Sequence, residues 1–63
     1  MSAAEYVEAY GWKKAAEVAE RAGTNRAYFY QIAKGIRRPS VELAKRLVEA
    51  SDNELSFLKL MGV

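Results

Sequence analysis

The apolar positions of this chain recur at three- and four-residue intervals, the spacing that lines one face of a helix. Val18 and Ala22 belong to one such set, and Phe29 and Ile32 belong to another. Between the two sets stands Gly23, a residue that enters the left-handed conformation at a helix end without steric cost. The pattern therefore predicts two short helices joined by a tight corner.

Caps and apolar stripes predict further helices on both sides of this pair. The five predicted helices run from Ala3 to about Tyr10, from Trp12 or Lys13 to Ala22, from Arg26 to about Lys34, from a Ser40 cap through Val48, and from a Ser56 cap into the tail. Ser2 and Glu5 have the spacing of a capping box. Asn25 is a good N-cap, and Gly11 and Gly35 are placed to end helices.

The tail admits two interpretations. Leu55 and Phe57 alternate as in a strand, whereas Ser56 can cap a short helix that continues through Leu58, Leu60 and Met61. We favour the helix. These apolar residues either close the core or form a partner surface, and we favour core closure because a small chain has few apolar residues to spare. The expected fold is all-α, a compact bundle of about five short helices, in one domain spanning residues 1–63.

Composition excludes several functions. The 63 residues include no Cys and no His, which removes disulfides, the usual zinc sites, thiolate nucleophiles and the usual general base. A domain of this size has little room for a catalytic pocket, so we expect no enzyme, no cofactor, no metal and no small-molecule substrate. No apolar run approaches the roughly 20 residues of a membrane span, and no signal peptide is evident. We expect a cytoplasmic protein.

The positive charge is concentrated in the middle of the chain. The net charge is +2, but residues 13–38 alone carry seven basic and two acidic residues, a local charge of +5. Clustered basic groups attract polyanions more strongly than scattered ones. Together with the glycine-cornered helix pair, this distribution predicts a DNA-binding helix-turn-helix.

The third predicted helix carries polar groups suited to base edges. If Phe29 and Ile32 face the core, the other side displays Arg26, Ala27, Tyr30, Gln31 and Lys34. Arginine pairs bidentately with guanine, glutamine pairs with adenine, and Ala27 and Tyr30 are suited to a thymine methyl group. We therefore predict these five residues as base contacts in the major groove.

A second group is predicted to contact phosphates: Lys13, Lys14, Asn25, Arg37, Arg38 and Ser40. Lysines at a helix N-terminus oppose the helix dipole unless an anion lies there. Arg37 and Arg38 occupy the connector before Pro39 and form the second expected clamp. Such contacts supply affinity and register rather than sequence preference. Tyr28 is interpreted as structural, packed against the connector or the next helix.

The run from Ala22 to Ala44 resembles the Cro/C1-type helix-turn-helix family, and is most similar to small phage or prophage Cro-like repressors and YdaS-like regulators. The Gly23 corner, the spacing of Phe29 and Ile32, and the connector from Gly35 to Ser40 carry the resemblance, which covers roughly residues 12–58. It implies a lambda-repressor-like fold and a transcription regulator that binds double-stranded DNA sequence-specifically. It also implies a near-palindromic operator, a possible homodimer, repression by blocking polymerase, and a bacterial host cell.

The chain departs from the family pattern in two places. Many members carry a glutamine that clamps phosphate where this chain has Ala15, so Lys13 or Lys14 must substitute. Dimerisation in the family often uses a C-terminal strand or tail, for which only the short stretch from Leu55 to Val63 is available. The alternative function is a protein-interaction module, such as an antitoxin or adaptor, which would use the apolar tail rather than the basic face.

Overall fold

The helices of the chain follow its caps closely. The structure, a computed structural model, describes residues 1–62. Its elements are α1 (Ala3–Arg21), α2 (Arg26–Ala33), α3 (Val41–Ala50) and α4 (Phe57–Leu60), and these 62 residues contain no strand. The all-α prediction is confirmed, as is the helix in the tail. Val63, the last residue of the expected domain, lies outside the described residues.

Four helices replace the five that were predicted, because the first two run together in α1. Gly11 divides them with φ 87° and ψ 167°, a backbone conformation essentially restricted to glycine. The predicted boundary at Gly11 is therefore present as a sharp bend within one element. The bend lets both segments of α1, residues 3–10 and 12–21, turn a buried side towards the same core.

The corner between α1 and α2 has the geometry that Gly23 predicts. The N–H of Gly23, with φ 88°, donates to the carbonyl of Glu20 at 3.0 Å, and the N–H of Thr24 donates to Ala19 at 2.9 Å. This pair of bonds is a Schellman motif, which satisfies carbonyls at the helix end. Asn25 then caps α2, its Oδ1 accepting from the N–H of Tyr28 at 2.8 Å.

The core collects residues from all four helices and from the turn before α4. Its buried members are Ala3, Tyr6, Ala15, Val18, Ala19, Ala22, Phe29, Ile32, Leu43, Ala44, Leu47, Leu55 and Leu60. Five of these residues are alanines and one is a valine, and most of the six lie on α1. Because they are small, α2 can pack closely enough against α1 to bury Phe29 completely. Leu55 and Leu60 lie in this core, which confirms core closure by the tail, whereas Leu58 remains exposed.

Two arginines join the C-terminal ends of α1 and α3 reciprocally. Arg46 of α3 donates through Nε to the carbonyl of Ala22 at 2.8 Å, and Arg21 of α1 donates through Nη1 to the carbonyl of Ala50 at 3.2 Å. Cations at helix C-termini complement the helix dipole and satisfy terminal carbonyls. Arg21, one of the seven basic residues of the central segment, is thus engaged in holding the fold.

The start of the chain is hydrogen-bonded to the turn before α4. The amino group of Met1 donates to the carbonyl of Glu54 at 2.8 Å, and the N–H of Ser56 donates back to the carbonyl of Met1 at 2.8 Å. The hydroxyl of Tyr10 donates to Oε1 of Glu54 at 2.6 Å, which raises the pKa of Tyr10. These bonds fasten the first segment of α1 to the tail.

Replacing Gly11 or Gly23 by asparagine distinguishes their two backbone conformations. A Cβ at Gly11 would meet nothing within 4 Å, and one at Gly23 only Nε of Arg46 at 3.9 Å, so backbone strain decides both outcomes. Asparagine tolerates the left-handed position at the helix end but not the conformation of Gly11. We expect G11N to lower the free energy of unfolding by about 1–3 kcal/mol and G23N by less than about 1 kcal/mol. Urea denaturation measures both, and equal losses would contradict the assignment.

Glu5 makes part of the stability dependent on pH. Its carboxylate accepts from the N–H of Ser2 at 2.8 Å and from Nζ of Lys59 at 3.2 Å, and these contacts, Ser2 first, hold its pKa below the ordinary 4.5. A lowered pKa in the folded state stabilises the fold above the ordinary pKa, and this contribution disappears as pH falls through the folded value.

The variant E5Q tests this dependence, because glutamine keeps the capping box but loses the charge that attracts Lys59. We expect the wild type to be more stable than E5Q near neutral pH, and the difference to shrink as pH falls through the lowered pKa of Glu5. Thermal unfolding of both proteins across this range checks it. A difference that stays constant with pH would show that the ionised carboxylate is not responsible.

Candidate nucleic-acid interface

Helix α2 has one buried side and one exposed side. Phe29 is 0% exposed and Ile32 is 9% exposed, as their spacing predicts. On the other side Tyr30 is 46% exposed, and Arg26, Ala27 and Lys34 are exposed as well. The structure thus brings the predicted base-contact residues together on one surface, with Gln31 half-buried at its edge. We call Arg26, Ala27, Tyr30, Gln31 and Lys34 the α2 face.

The α2 face is supported by Trp12, which sequence analysis did not include among the site residues. The indole of Trp12 and the ring of Tyr30 have centroids 5.5 Å apart and planes inclined by 34°. Arg26 places its guanidinium 5.9 Å from the Trp12 ring, and Nζ of Lys34 lies 5.6 Å from the Tyr30 ring. These are cation–π distances. The four side chains form a row of cation, aromatic, aromatic and cation that restricts the freedom of each.

The position of Trp12 in the sequence hinted at this role. It directly follows the Gly11 bend, so it stands at the start of the α1 segment that packs against α2. Its contact with Tyr30, however, depends on how the two helices cross. The sequence therefore offered one indication of this role, a large aromatic residue next to the predicted helix boundary at Gly11.

Gln31 is held by the connector that follows α2. Its Oε1 accepts a hydrogen bond from Nε of Arg37 at 2.8 Å, and the guanidinium of Arg37 lies 4.9 Å from the ring of Tyr28. Tyr28 therefore packs against the connector, in agreement with its structural interpretation. Arg37 is therefore hydrogen-bonded to a residue of the α2 face.

Arg38 lies in a different environment from Arg37. A Cβ built on Gly62 would stand 3.4 Å from Nη2 of Arg38, so this guanidinium rests beside the backbone that follows α4. The two connector arginines therefore have different neighbours, and only one of them touches a residue of the α2 face. A joint clamp on phosphate stays a prediction.

Ile36 is a second site residue that sequence analysis missed. It is 69% exposed and, with Arg26, Ala27, Tyr30 and Gln31, lines a shallow concavity on the α2 face. Its indication in the sequence was an isolated apolar residue in an otherwise polar connector. An exposed aliphatic group beside Ala27 and Tyr30 is suited to contact with a methyl group.

The remaining predicted phosphate contacts lie on the surface. Lys13 and Lys14 are exposed at the start of the second α1 segment. Asn25 and Ser40 both cap helices through their side-chain oxygens, which accept from Tyr28 at 2.8 Å and from Leu43 at 3.1 Å. Capping uses the acceptor of each group, so the amide nitrogen of Asn25 and the hydroxyl proton of Ser40 can still be donated to a phosphate.

Comparison with known protein families identifies a helix-turn-helix in the part of the chain that contains this surface. A helix-turn-helix family model matches residues 4–58, which is most of the molecule. The chain belongs to the Cro/C1-type helix-turn-helix family. It is thus a helix-turn-helix DNA-binding regulator. Comparison with curated proteins gave no match, and comparison with solved structures gave none.

The helix-turn-helix of this chain differs from the family pattern at Ala15, and the structure shows the consequence. Ala15 is 0% exposed and belongs to the core. The start of the second segment exposes Lys13 and Lys14, whereas Trp12 is partly buried against the core. No helix within residues 1–62 is both long and apolar enough to cross a lipid bilayer.

Trp12 is the single tryptophan of the chain, so its fluorescence reports on the α2 face. Removing the Tyr30 ring exposes one side of the indole to water, and we expect Y30A to shift the emission maximum to longer wavelength. Y28A is the matched control, because the Tyr28 ring contacts Arg37 rather than Trp12. An unchanged spectrum in Y30A, or an equal shift in Y28A, would contradict the stacked arrangement.

Proposed function

We propose that this single-domain protein is a sequence-specific regulator of transcription that places α2 in the major groove of double-stranded DNA. The observation that carries the proposal is the α2 face, where base-reading polar groups surround an exposed aromatic and Phe29 anchors the opposite side. Tyr30 and Ile36 lie together as exposed apolar residues among polar ones, which is the character of an interaction surface.

In this arrangement Arg26 pairs with guanine and Gln31 with adenine, while Ala27, Tyr30 and Ile36 contact a thymine methyl group. Lys34 extends the positive side of the α2 face. Lys13, Lys14, Asn25, Arg38 and Ser40 contact the phosphates on either side of the groove. Each good bidentate contact discriminates by about 1–3 kcal/mol, whereas phosphate contacts add affinity for any sequence.

We further propose a phage-type or prophage-type repressor that works in the cytoplasm of a bacterial host cell and blocks polymerase at a near-palindromic operator. Half-sites on one side of DNA are about 34 Å apart, one helical turn. The molecule is 25 Å along its longest axis, so two copies with that axis along the DNA are separated by a gap that long side chains can bridge. A homodimer formed on the operator fits these dimensions.

The second candidate is a protein-interaction module such as an antitoxin or adaptor. The observation in its favour lies on α3 and α4, where Val41 is 51% exposed and Leu58 is 61% exposed. A shallow groove lined by Lys45, Val48, Glu49 and Phe57 lies between the same two helices. An adaptor would use these residues, whereas a regulator depends on the α2 face.

Selection from random DNA duplexes tests the regulator. We expect a recovered sequence with two related half-sites and binding that weakens with added salt, with a log–log slope of several units. On the recovered site, Q31A should lose preference at one base pair, and R38A should weaken all sequences similarly. No enriched sequence together with a flat salt response would contradict the proposal and favour the interaction module, for which V41E and L58E are the matching disruptive variants.

A further inference from the structure

We propose that Arg37 is a positioning residue that sets the orientation of the Gln31 amide and thereby the base that Gln31 recognises. The inference rests on the proposed function, since it concerns a residue of the α2 face. It assigns Arg37 a role in specificity, where its place in a basic connector indicated a phosphate contact.

The main chain first brings Arg37 to Gln31. Gly35, with φ 77°, ends α2 and turns the connector back along the helix. The carbonyl of Gln31 then accepts from the N–H of Ile36 at 2.9 Å and from the N–H of Arg37 at 3.3 Å. These main-chain bonds therefore place Arg37 next to Gln31, independently of the contact between their side chains.

In the contact between the two side chains, Arg37 can only donate a hydrogen bond and Gln31 must accept it. Nε of Arg37 donates to Oε1 of Gln31 at 2.8 Å, and a guanidinium has donors but no acceptor. A flipped amide would set the N–H donors of Gln31 against those of Arg37, so only one of the two amide orientations keeps the bond. The ring of Tyr28, 4.9 Å from Cζ of Arg37, supports the plane of the guanidinium and keeps its Nε directed at Gln31.

Amide orientation determines what Gln31 can recognise. Bidentate pairing with adenine needs the glutamine oxygen opposite the N6 amino group and the glutamine nitrogen opposite N7. The carbonyl oxygen has two lone pairs, so it can accept from Arg37 and from adenine together. An amide ordered before binding avoids the cost of immobilising a flexible side chain, which corresponds to about twofold to tenfold in affinity for the matching base.

The decisive variant is R37K, measured on the selected duplex and on duplexes with each of the other three base pairs at the position that depends on Gln31. Lysine keeps the positive charge but lacks Nε and the planar group that lies over Tyr28. We expect R37K to lower discrimination at that position by about twofold to tenfold, while affinity for unrelated DNA stays within about twofold. In a Q31A background, R37K should cause no further loss of discrimination there.

Arg38 supplies the matched control, because it is the next residue of the same connector but lies beside Gly62. R38K should leave discrimination at every position unchanged. If R37K discriminates like the wild type while R37A weakens all sequences equally, Arg37 is a phosphate contact and the inference is overturned. It is also overturned if R37K lowers discrimination equally with and without Gln31.

The free protein gives an independent readout by NMR. The Nε–H of Arg37 should exchange slowly with water in the wild type and faster in Q31A, whereas that of Arg38 should be the same in both. Equal exchange of the Arg37 Nε–H in the two proteins overturns the inference regardless of DNA. If the wild type selects no DNA sequence, the proposed function is overturned. If R37K keeps the base preference at the Gln31 position, only the role of Arg37 is overturned.

Discussion

The burial of one side of α2 is the constraint on which the site depends. A helix of eight residues is too short to persist alone in water, so α2 exists because Phe29 and Ile32 are inserted into the core. The small residues of α1 make that insertion possible. Once Phe29 is anchored, the helical period leaves Tyr30 on the solvent side. The orientation of the α2 face is thus a consequence of packing on the opposite side.

The backbone conformations at the ends of α1 and α2 determine where the following segments lie. The corner at Gly23 and the end of α2 at Gly35 are both Schellman motifs, and each turns the chain back against the helix it has just left. At Gly23 this return presents Asn25 as the cap of α2. At Gly35 it lays the connector over Gln31. The same local geometry therefore builds the corner of the motif in one place and the edge of the α2 face in the other.

Four of the basic residues divide between two tasks. Arg21 and Arg46 bind helix-terminal carbonyls and join α1 to α3. Arg26 and Lys34 instead lie against the aromatic rings of Trp12 and Tyr30, where their charge remains at the surface. Net charge along the sequence cannot separate these tasks, because it depends on which carbonyl or ring each side chain reaches. The local excess of +5 thus includes Arg21, whose guanidinium is held at the end of α3 and not on the α2 face.

Local chemistry made much of this protein predictable from its sequence. Ser2, Asn25, Ser40 and Ser56 cap the helices as expected, since capping acts over three residues, and the spacing of Phe29 and Ile32 established which side of α2 is buried. Tertiary structure alone decided the contact of Trp12 with Tyr30, 18 residues apart, and the burial of Ala15. It also decided the bond from Arg37 to Gln31. Backbone conformation and helical period follow from neighbouring residues, whereas these contacts depend on how the helices cross and where long side chains end.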